Sequence, residues 1–253
     1  MKNFLSETFL LDNKHSEALY FDHAIKMPII DYHNHLPPRE ISENRKFKNL
    51  TEIWLLDDHY KWRAMRTCGI EEKFITGEAS DIEKFKKWAE TVPKTLRNPL
   101  HHWTHLELQR YFGITEILDS SSAVDIYEKT ASMLQQDDFR VQELLLKMNV
   151  EILCTTDDPL DDLTFHRANK SKTKVLPTFR PDKLLNFQDS SKIQKYILDL
   201  GANTNNIINS FETLLESIKS RHDHFHENGC RLSDHGLSHL PFKSCSRTEV
   251  ERI

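Results

Sequence analysis

Glycine, cysteine and long apolar runs are scarce or absent in this chain of 253 residues. The six glycines argue against a glycine-rich phosphate-binding loop, and no such motif is present. The four cysteines lie far apart without a Cys-x-x-Cys pair, which indicates buried, reduced thiols in a cytoplasmic protein. No apolar run is long enough to cross a bilayer, and the first residues do not resemble a signal peptide. We therefore expect a cytoplasmic protein that does not associate with membranes.

An excess of positive charge is also lacking. The formal net charge is −5 and the isoelectric point is near 6.3, so no basic surface is available to bind nucleic acid or an anionic membrane. Hydrophobic residues make up 38% of the chain and charged residues 29%, which is typical of a soluble globular enzyme rather than a disordered segment.

Three short apolar segments, each with a polar C-terminal end, are predicted to be buried strands: 27–33, 150–156 and 174–180. A fourth, weaker candidate is 230–235. Parallel barrel strands have this pattern when their C-terminal ends carry chemistry.

Helical patterns fill the long interval between the first two strands. Asn49 and Glu52 are spaced as a capping box for a helix that continues to Cys68, and Ser80 with Glu83 begins another. Further helices are predicted near 99–112, 123–135 and 138–148, and one at 207–228 precedes the fourth strand. This is too much helix for one crossover.

The predicted fold class is therefore α/β, as the N-terminal half of a TIM-type (β/α)₈ barrel with a large helical insertion after the first strand. Residues 1–39 would contain the N-terminal segment and the first strand, and residues 40–149 the inserted helical subdomain. Residues 150–237 would contain strands two to four with their helices, followed by a tail at 238–253.

His33 and His35 directly follow the first strand. Because residues i and i+2 lie on the same side of a strand, both imidazoles can face one point, and imidazole is a common ligand of zinc. Two histidines do not complete a site, and a pair of surface histidines is an equally good interpretation.

Three further features have competing interpretations. His59 and Tyr60 lie on a polar helix face, and Arg180 ends a strand where it can bind a carboxylate or an acidic neighbour. Asp157 and Asp158 can cap a turn or support a metal-binding histidine, and the turn is favoured for at least one of them. Two histidine clusters, at 101–105 and 222–226, are expected to be solvated.

Together, five segments resemble the uronate isomerases of the amidohydrolase-type barrel superfamily: Asp31–Leu36, His59–Arg63, Thr155–Pro159, Pro177–Asp182 and Cys230–Gly236. The resemblance extends from the N-terminus to about Leu237. Each motif alone is weak, but the set in this order is highly specific.

The resemblance implies interconversion of D-glucuronate with D-fructuronate, and of D-galacturonate with D-tagaturonate, in bacterial sugar-acid catabolism. It implies that His33 and His35 bind a divalent metal, with zinc expected, and that Arg180 binds the substrate. His59 and Tyr60 would contact the substrate and take part in catalysis. The implied partner is a small uronate, and full-length family members are expected to oligomerise.

Members of the family are much longer than this chain. Their last strand supplies an aspartate that binds the metal and is proposed to abstract the proton, and no candidate for it is found in this sequence. Residues 238–253 show no apolar period and no resemblance. We therefore expect a truncated member with an incomplete site. The alternatives are a metal-dependent hydrolase of the same superfamily and an inactive half-barrel remnant.

Overall fold

The computed structural model describes residues 4–185, 189–237, 242 and 244–250. The chain divides into two compact units. The helical unit consists of the described residues up to Pro28 together with Asn44–Asn149. The sheet unit consists of Ile29–Glu43 and the described residues from Val150 onward. The residues before Ile29 thus group with the helical unit, and residues 238–241, 243 and 251–253 of the predicted tail lie outside the described residues.

Helices dominate the described chain, and three short strands form one parallel sheet. In chain order the elements are α1 (Lys14–Ala18), β1 (Ile29–Asp31), α2 (Pro38–Ser42), α3 (Leu50–Leu55), α4 (His59–Thr67), α5 (Asp81–Thr91), α6 (Pro99–Phe112), α7 (Ala123–Leu134), α8 (Val141–Lys147), β2 (Val150–Cys154), α9 (Thr164–Ala168), β3 (Lys174–Leu176), α10 (Ser190–Thr204), α11 (Phe211–Glu227) and α12 (Arg247–Val250). The fold class is mixed α/β, as predicted.

The helical unit has one large apolar core. Helix α5 begins at the predicted capping box of Ser80 and Glu83. On its apolar face, Phe85 and Trp88 are completely buried. The core also contains apolar side chains of α3, α4, α6 and α7. Burial of such a contiguous set is the main favourable term in the folding of this unit.

The helix predicted from Asn49 to Cys68 is two helices, because the segment between Leu56 and Asp58 interrupts it. The Asp58 side chain accepts hydrogen bonds from the backbone N–H groups of Tyr60 (2.9 Å) and Lys61 (3.1 Å). These bonds make Asp58 the N-cap of a new helix, α4, so the apolar period continues across a break in the backbone.

The sheet unit is built on strands in the order β1-β2-β3, all parallel. Backbone hydrogen bonds continue the β2–β3 ladder beyond the strands, as far as the bond from Arg180 N to Asp157 O (3.0 Å). At the fourth predicted strand, the structure shows a single parallel bridge between Phe179 and Ser233. One bond, from Phe179 N to Leu232 O (3.0 Å), supports that bridge.

Two helices pack together in the sheet unit, and the sequence interpretation missed one of them. Helix α10 occupies a segment for which no element had been predicted, and α11 begins at Phe211, after its N-cap Ser210, rather than at the predicted Ile207. Tyr196 and Leu200 of α10 form a small apolar core with residues of α11 and neighbouring loops. No helix in the described part of the chain is long and apolar enough to span a membrane.

Candidate functional site

Polar side chains gather where the strands of the sheet unit end. His33 follows β1, Asp157 follows β2, Arg180 follows β3, and Asp234 follows the bridge at Ser233. Parallel strands bring their C-terminal ends to the same edge of a sheet, so residues distant in sequence become neighbours there.

The two histidines after β1 lie close together. Their ring centroids are 4.8 Å apart and the ring planes are nearly perpendicular, at 88°. His33 Nδ1 lies 3.2 Å from Asp234 Oδ2, and the His33 side chain is 46% exposed. A carboxylate at Nδ1 favours the tautomer that leaves Nε2 able to bind a metal.

The donor set fits part of a divalent-metal site. Two adjacent imidazoles, one with a carboxylate neighbour, suit zinc or a similar ion. Within the described residues, however, no group of three or more histidine, cysteine, aspartate or glutamate side chains is arranged to hold a metal ion. Metal binding by His33 and His35 therefore stays a prediction.

The Arg180 guanidinium is held by acidic neighbours. Its Nε donates to Asp182 Oδ2 at 2.8 Å, and its Nη1 lies 3.8 Å from Asp234 Oδ2. Gly236 N (2.7 Å) and His235 Nδ1 (3.0 Å) also contact the Asp182 carboxylate. Although partial burial opposes ionisation of Asp182, these hydrogen bonds hold its pKa below the usual value. Asp234 thus lies between His33 and Arg180.

Asp157 and Asp158 have different roles. Asp158 Oδ1 accepts from Leu160 N (3.0 Å) and from the Tyr196 hydroxyl (2.8 Å), which is the turn role favoured for one of the pair. Asp157 is buried and accepts from the Thr155 hydroxyl (2.7 Å) and from Thr178 N (3.1 Å). Burial raises the pKa of Asp157, and these two hydrogen bonds oppose that shift.

His166 completes this buried group. Its Nε2 lies 2.8 Å from the Thr155 hydroxyl oxygen and 3.5 Å from Asp157 Oδ1. Burial lowers the pKa of His166 to about 4, so the imidazole is neutral at pH 7 and the contact with Asp157 is not an ion pair. A cavity of about 680 Å³ adjoins this group and is lined by residues that follow β1 and β2, including His35, Thr156, Asp157 and, on α9, His166.

His59 and Tyr60 belong to the helical unit, where they form the first turn of α4. Both are exposed, and their ring centroids are 4.4 Å apart. Their predicted contact with substrate stays a prediction.

The expectation that the histidine cluster at 101–105 is solvated is wrong for two of its members. His101 is 7% exposed and His105 only 1%. His105 Nδ1 bonds to His101 O (2.7 Å), and Leu118 N donates to His105 Nε2 (3.0 Å). The buried His105 imidazole therefore has a structural use in the helical unit, where its two hydrogen bonds offset the cost of burying it.

Comparisons with known proteins agree on one family. The family model of glucuronate isomerase matches residues 1–253, a match that includes residues 238–253, where the pattern had shown no resemblance. The uronate isomerase of Cellvibrio japonicus is 48% identical over 256 residues, which cover 99% of this chain and 54% of that protein. The uronate isomerase of Oceanobacillus iheyensis is 49% identical over 254 residues, which cover 99% of this chain and 54% of that protein.

Solved structures give the same result. The crystal structure of uronate isomerase from Thermotoga maritima superposes with a TM-score of 0.92 at 34% identity, covering 99% of this chain and 56% of that one. The crystal structure of glucuronate isomerase from Caulobacter crescentus superposes with a TM-score of 0.84 at 25% identity. That match covers 95% of this chain and 53% of the other. This chain thus spans about half the length of the relatives that it matches.

Proposed function

The chain belongs to the glucuronate isomerase family, and from that premise we propose that it supplies part of the active site of a uronate isomerase. The proposed reactions are the interconversion of D-glucuronate with D-fructuronate and of D-galacturonate with D-tagaturonate. The observation that carries the proposal is the grouping of His33, Asp234, Arg180 and Asp182 at the strand ends.

Arg180 is proposed to bind the substrate carboxylate. Its side chain is 23% exposed, and the bond to Asp182 uses Nε, so the two terminal nitrogens can form parallel hydrogen bonds with a carboxylate. The carboxylate of a uronate lies at the far end of the molecule from C1 and C2. Binding it would therefore orient the reacting carbons without touching them.

Isomerisation transfers one proton between adjacent carbons. A base removes the proton from C2 of the aldose, an enediol forms, and a proton is delivered to C1 while the C2 hydroxyl becomes the ketone. We propose that His59 and Tyr60 contact the substrate and assist these proton transfers. When bound at His33 and His35, a divalent ion such as zinc supplies polarisation of the substrate carbonyl group.

We also propose that the sheet unit is half of a TIM-type barrel. Its strands are parallel and follow chain order, with a bridge where the fourth is expected. Neighbouring side chains of β1, Ile29 and Ile30, are 48% and 60% exposed, although they point to opposite faces of the strand. A closed barrel would cover both faces, with helices on the outside and packed side chains within.

The test uses a fusion of this chain with the part of the Oceanobacillus iheyensis uronate isomerase that follows its matched residues. We expect the folded fusion to form ketose from D-glucuronate or D-galacturonate in the presence of zinc or manganese, and to leave amide and ester substrates intact. The 253-residue chain alone is expected to form none. Hydrolysis without isomerisation would favour the hydrolase alternative, and a folded fusion with neither activity would contradict the proposal.

A further inference from the structure

A row of three hydrogen-bonded side chains, His166, Thr155 and Asp157, lies behind the strand ends. The side chains of His166 and Asp157 are 4% and 3% exposed, and Thr155 is 1% exposed. None of the three has a part in the proposed proton transfer. Among the described residues, nothing forms a hydrogen bond with the buried Nδ1 of His166. Burying a polar group without a hydrogen-bond partner costs free energy, so its presence here requires an explanation.

The positions of the protons in the row follow from its distances. The Thr155 hydroxyl lies 2.7 Å from Asp157 Oδ2, 2.8 Å from His166 Nε2 and 3.2 Å from Leu176 O. A hydroxyl has one proton to donate, and the carboxylate is both the nearest acceptor and the strongest. Thr155 therefore donates to Asp157 and accepts from His166, which places the imidazole proton on Nε2.

The row ends on the backbone that carries Arg180. Asp157 Oδ2 accepts from Thr178 N at 3.1 Å. Two backbone bonds join the same segments, from Asp157 N to Thr178 O (3.1 Å) and from Arg180 N to Asp157 O (3.0 Å). Of these three bonds, only the one from Thr178 N to the Asp157 carboxylate involves a side chain. The row can therefore affect the backbone through this bond.

We propose that His166 and Thr155 are positioning residues that act through Asp157 on the backbone from Thr178 to Arg180. By this route they fix the place of the Arg180 guanidinium without touching the substrate. The binding of a uronate by Arg180 rests on the proposed function, whereas the row and its hold on the backbone do not.

The first test is ¹⁵N NMR of the imidazole groups in the 253-residue chain. We expect His166 to be the Nε2–H tautomer and to remain neutral well below the pH at which an ordinary histidine is protonated. An Nδ1–H tautomer, or titration near the ordinary value, would overturn the proposal. This measurement is made on the unaltered chain, and His166→Gln serves only to assign the signal.

The second test compares Thr155→Val with Thr173→Val. Thr173 is a matched control, because its buried hydroxyl bonds to Val150 O (2.8 Å) in the same sheet, away from the strand ends. We expect Thr155→Val to increase hydrogen exchange at the Thr178 and Arg180 amides about tenfold or more, and Thr173→Val to leave it nearly unchanged. Equal increases in both variants would show a general loss of sheet stability and contradict the proposal.

A rescue experiment separates the hydrogen bond from simple packing. His166→Leu should increase exchange at Thr178, whereas His166→Gln, whose amide N–H can replace the Nε2 donor, should restore protection. If leucine protects as well as glutamine, the row has no positioning role. None of these measurements uses a uronate. Failure of the proposed function would instead appear as unchanged uronate turnover in Arg180 variants of the fusion.

Discussion

Single carboxylates at the strand ends each connect two or more neighbours. Asp182 accepts from Arg180, His235 and Gly236, while Asp234 lies between His33 and Arg180. Arrangements of this kind hold a long cationic side chain in one place before any ligand arrives. The site is therefore defined as much by its carboxylates as by its cations.

The sequence predicted that some of these side chains lie at the strand ends. The rule that polar residues follow apolar strands identified His33, His35 and Arg180. The same rule applies to Asp234, which lies at the C-terminal end of the fourth strand candidate, but it cannot show which neighbour Asp234 contacts. The role of Asp182 depends on Gly236, which lies 54 residues later, so only the folded chain reveals it.

Gly236 leaves the space that Arg180 fills. A Cβ atom at this position would overlap Arg180 Nη2 and lie 2.9 Å from its Cζ. Because Gly236 is exposed, we expect Gly236→Ala to change the free energy of unfolding by less than about 0.5 kcal/mol. In the fusion it should raise KM for D-glucuronate about tenfold by displacing the guanidinium.

A double-mutant cycle with Arg180→Ala is the control for that prediction. If Gly236→Ala acts through the guanidinium, it should have no further effect on KM once Arg180 is absent. Additive effects of the two changes would show that Gly236 matters for another reason.

His166 makes stability depend on pH. The unfolded chain binds a proton at this imidazole below its ordinary pKa of 6.5, whereas burial delays protonation in the folded chain until about pH 4. The contribution of His166 to the free energy of unfolding is therefore fully present above pH 6.5. It is lost as the pH falls towards 4, and the loss is at most about 3 kcal/mol. His166→Gln should remove this part of the decline, measured by urea unfolding at several pH values. A variant that declines in parallel with the wild-type chain would contradict the account.

Helix signals in the sequence were most reliable where a cap and an apolar period coincide. Helix α5 begins at the predicted capping box, and Phe85 and Trp88 on its apolar face are completely buried. On the predicted apolar face of α11 only Phe225 is buried, whereas Phe211 and Leu215 are 46% and 48% exposed. The break before α4 was missed because the apolar period continues across it. Helix α10 was missed because its start depends on Asp189, which caps the N–H groups of Ser191 and Lys192, and no strong apolar face was recognised there.

The N-cap of α4 fixes the backbone of His59 and Tyr60, which form the first turn of this helix. We expect Asp58→Ala to lower the free energy of unfolding of the helical unit by about 1 kcal/mol, since two backbone N–H groups lose their acceptor. Asp58→Asn keeps a capping oxygen and should cost much less. Urea unfolding followed by tryptophan fluorescence measures both, and equal losses would show that the charge near Lys61 matters rather than the cap.

The two units differ in how their apolar residues are buried. Among the described residues, the helical unit has one large core, while the sheet unit has smaller separate clusters and exposed apolar side chains on β1. The sequence predicted an inserted helical subdomain, but it could not show that the residues before Ile29 group with it. That grouping depends on long-range contacts, such as the bond from Asn149 to Met27 O (3.1 Å).

This difference predicts that the sheet unit unfolds first. All four tryptophans (Trp54, Trp62, Trp88 and Trp103) lie in the helical unit, whereas the buried thiols of Cys154 and Cys230 lie in the sheet unit. In a variant with Cys68→Ser and Cys245→Ser, we expect thiol labelling to reach its midpoint at a urea concentration lower by about 0.5 M or more than tryptophan fluorescence does. Coincident midpoints would show a single cooperative unit.

The most direct test of the central claim is the effect of Arg180→Lys on kcat/KM for both uronates in the fusion protein. Lysine keeps the positive charge but cannot form the bidentate pair of hydrogen bonds with a carboxylate. Losing a hydrogen bond to a charged group costs about 1.5–3 kcal/mol. We therefore predict a decrease of roughly 10- to 150-fold. Arg231→Lys, a change at an exposed arginine that bonds to backbone carbonyl groups, should leave the kinetics unchanged. Unchanged kcat/KM in Arg180→Lys on both D-glucuronate and D-galacturonate would contradict the account.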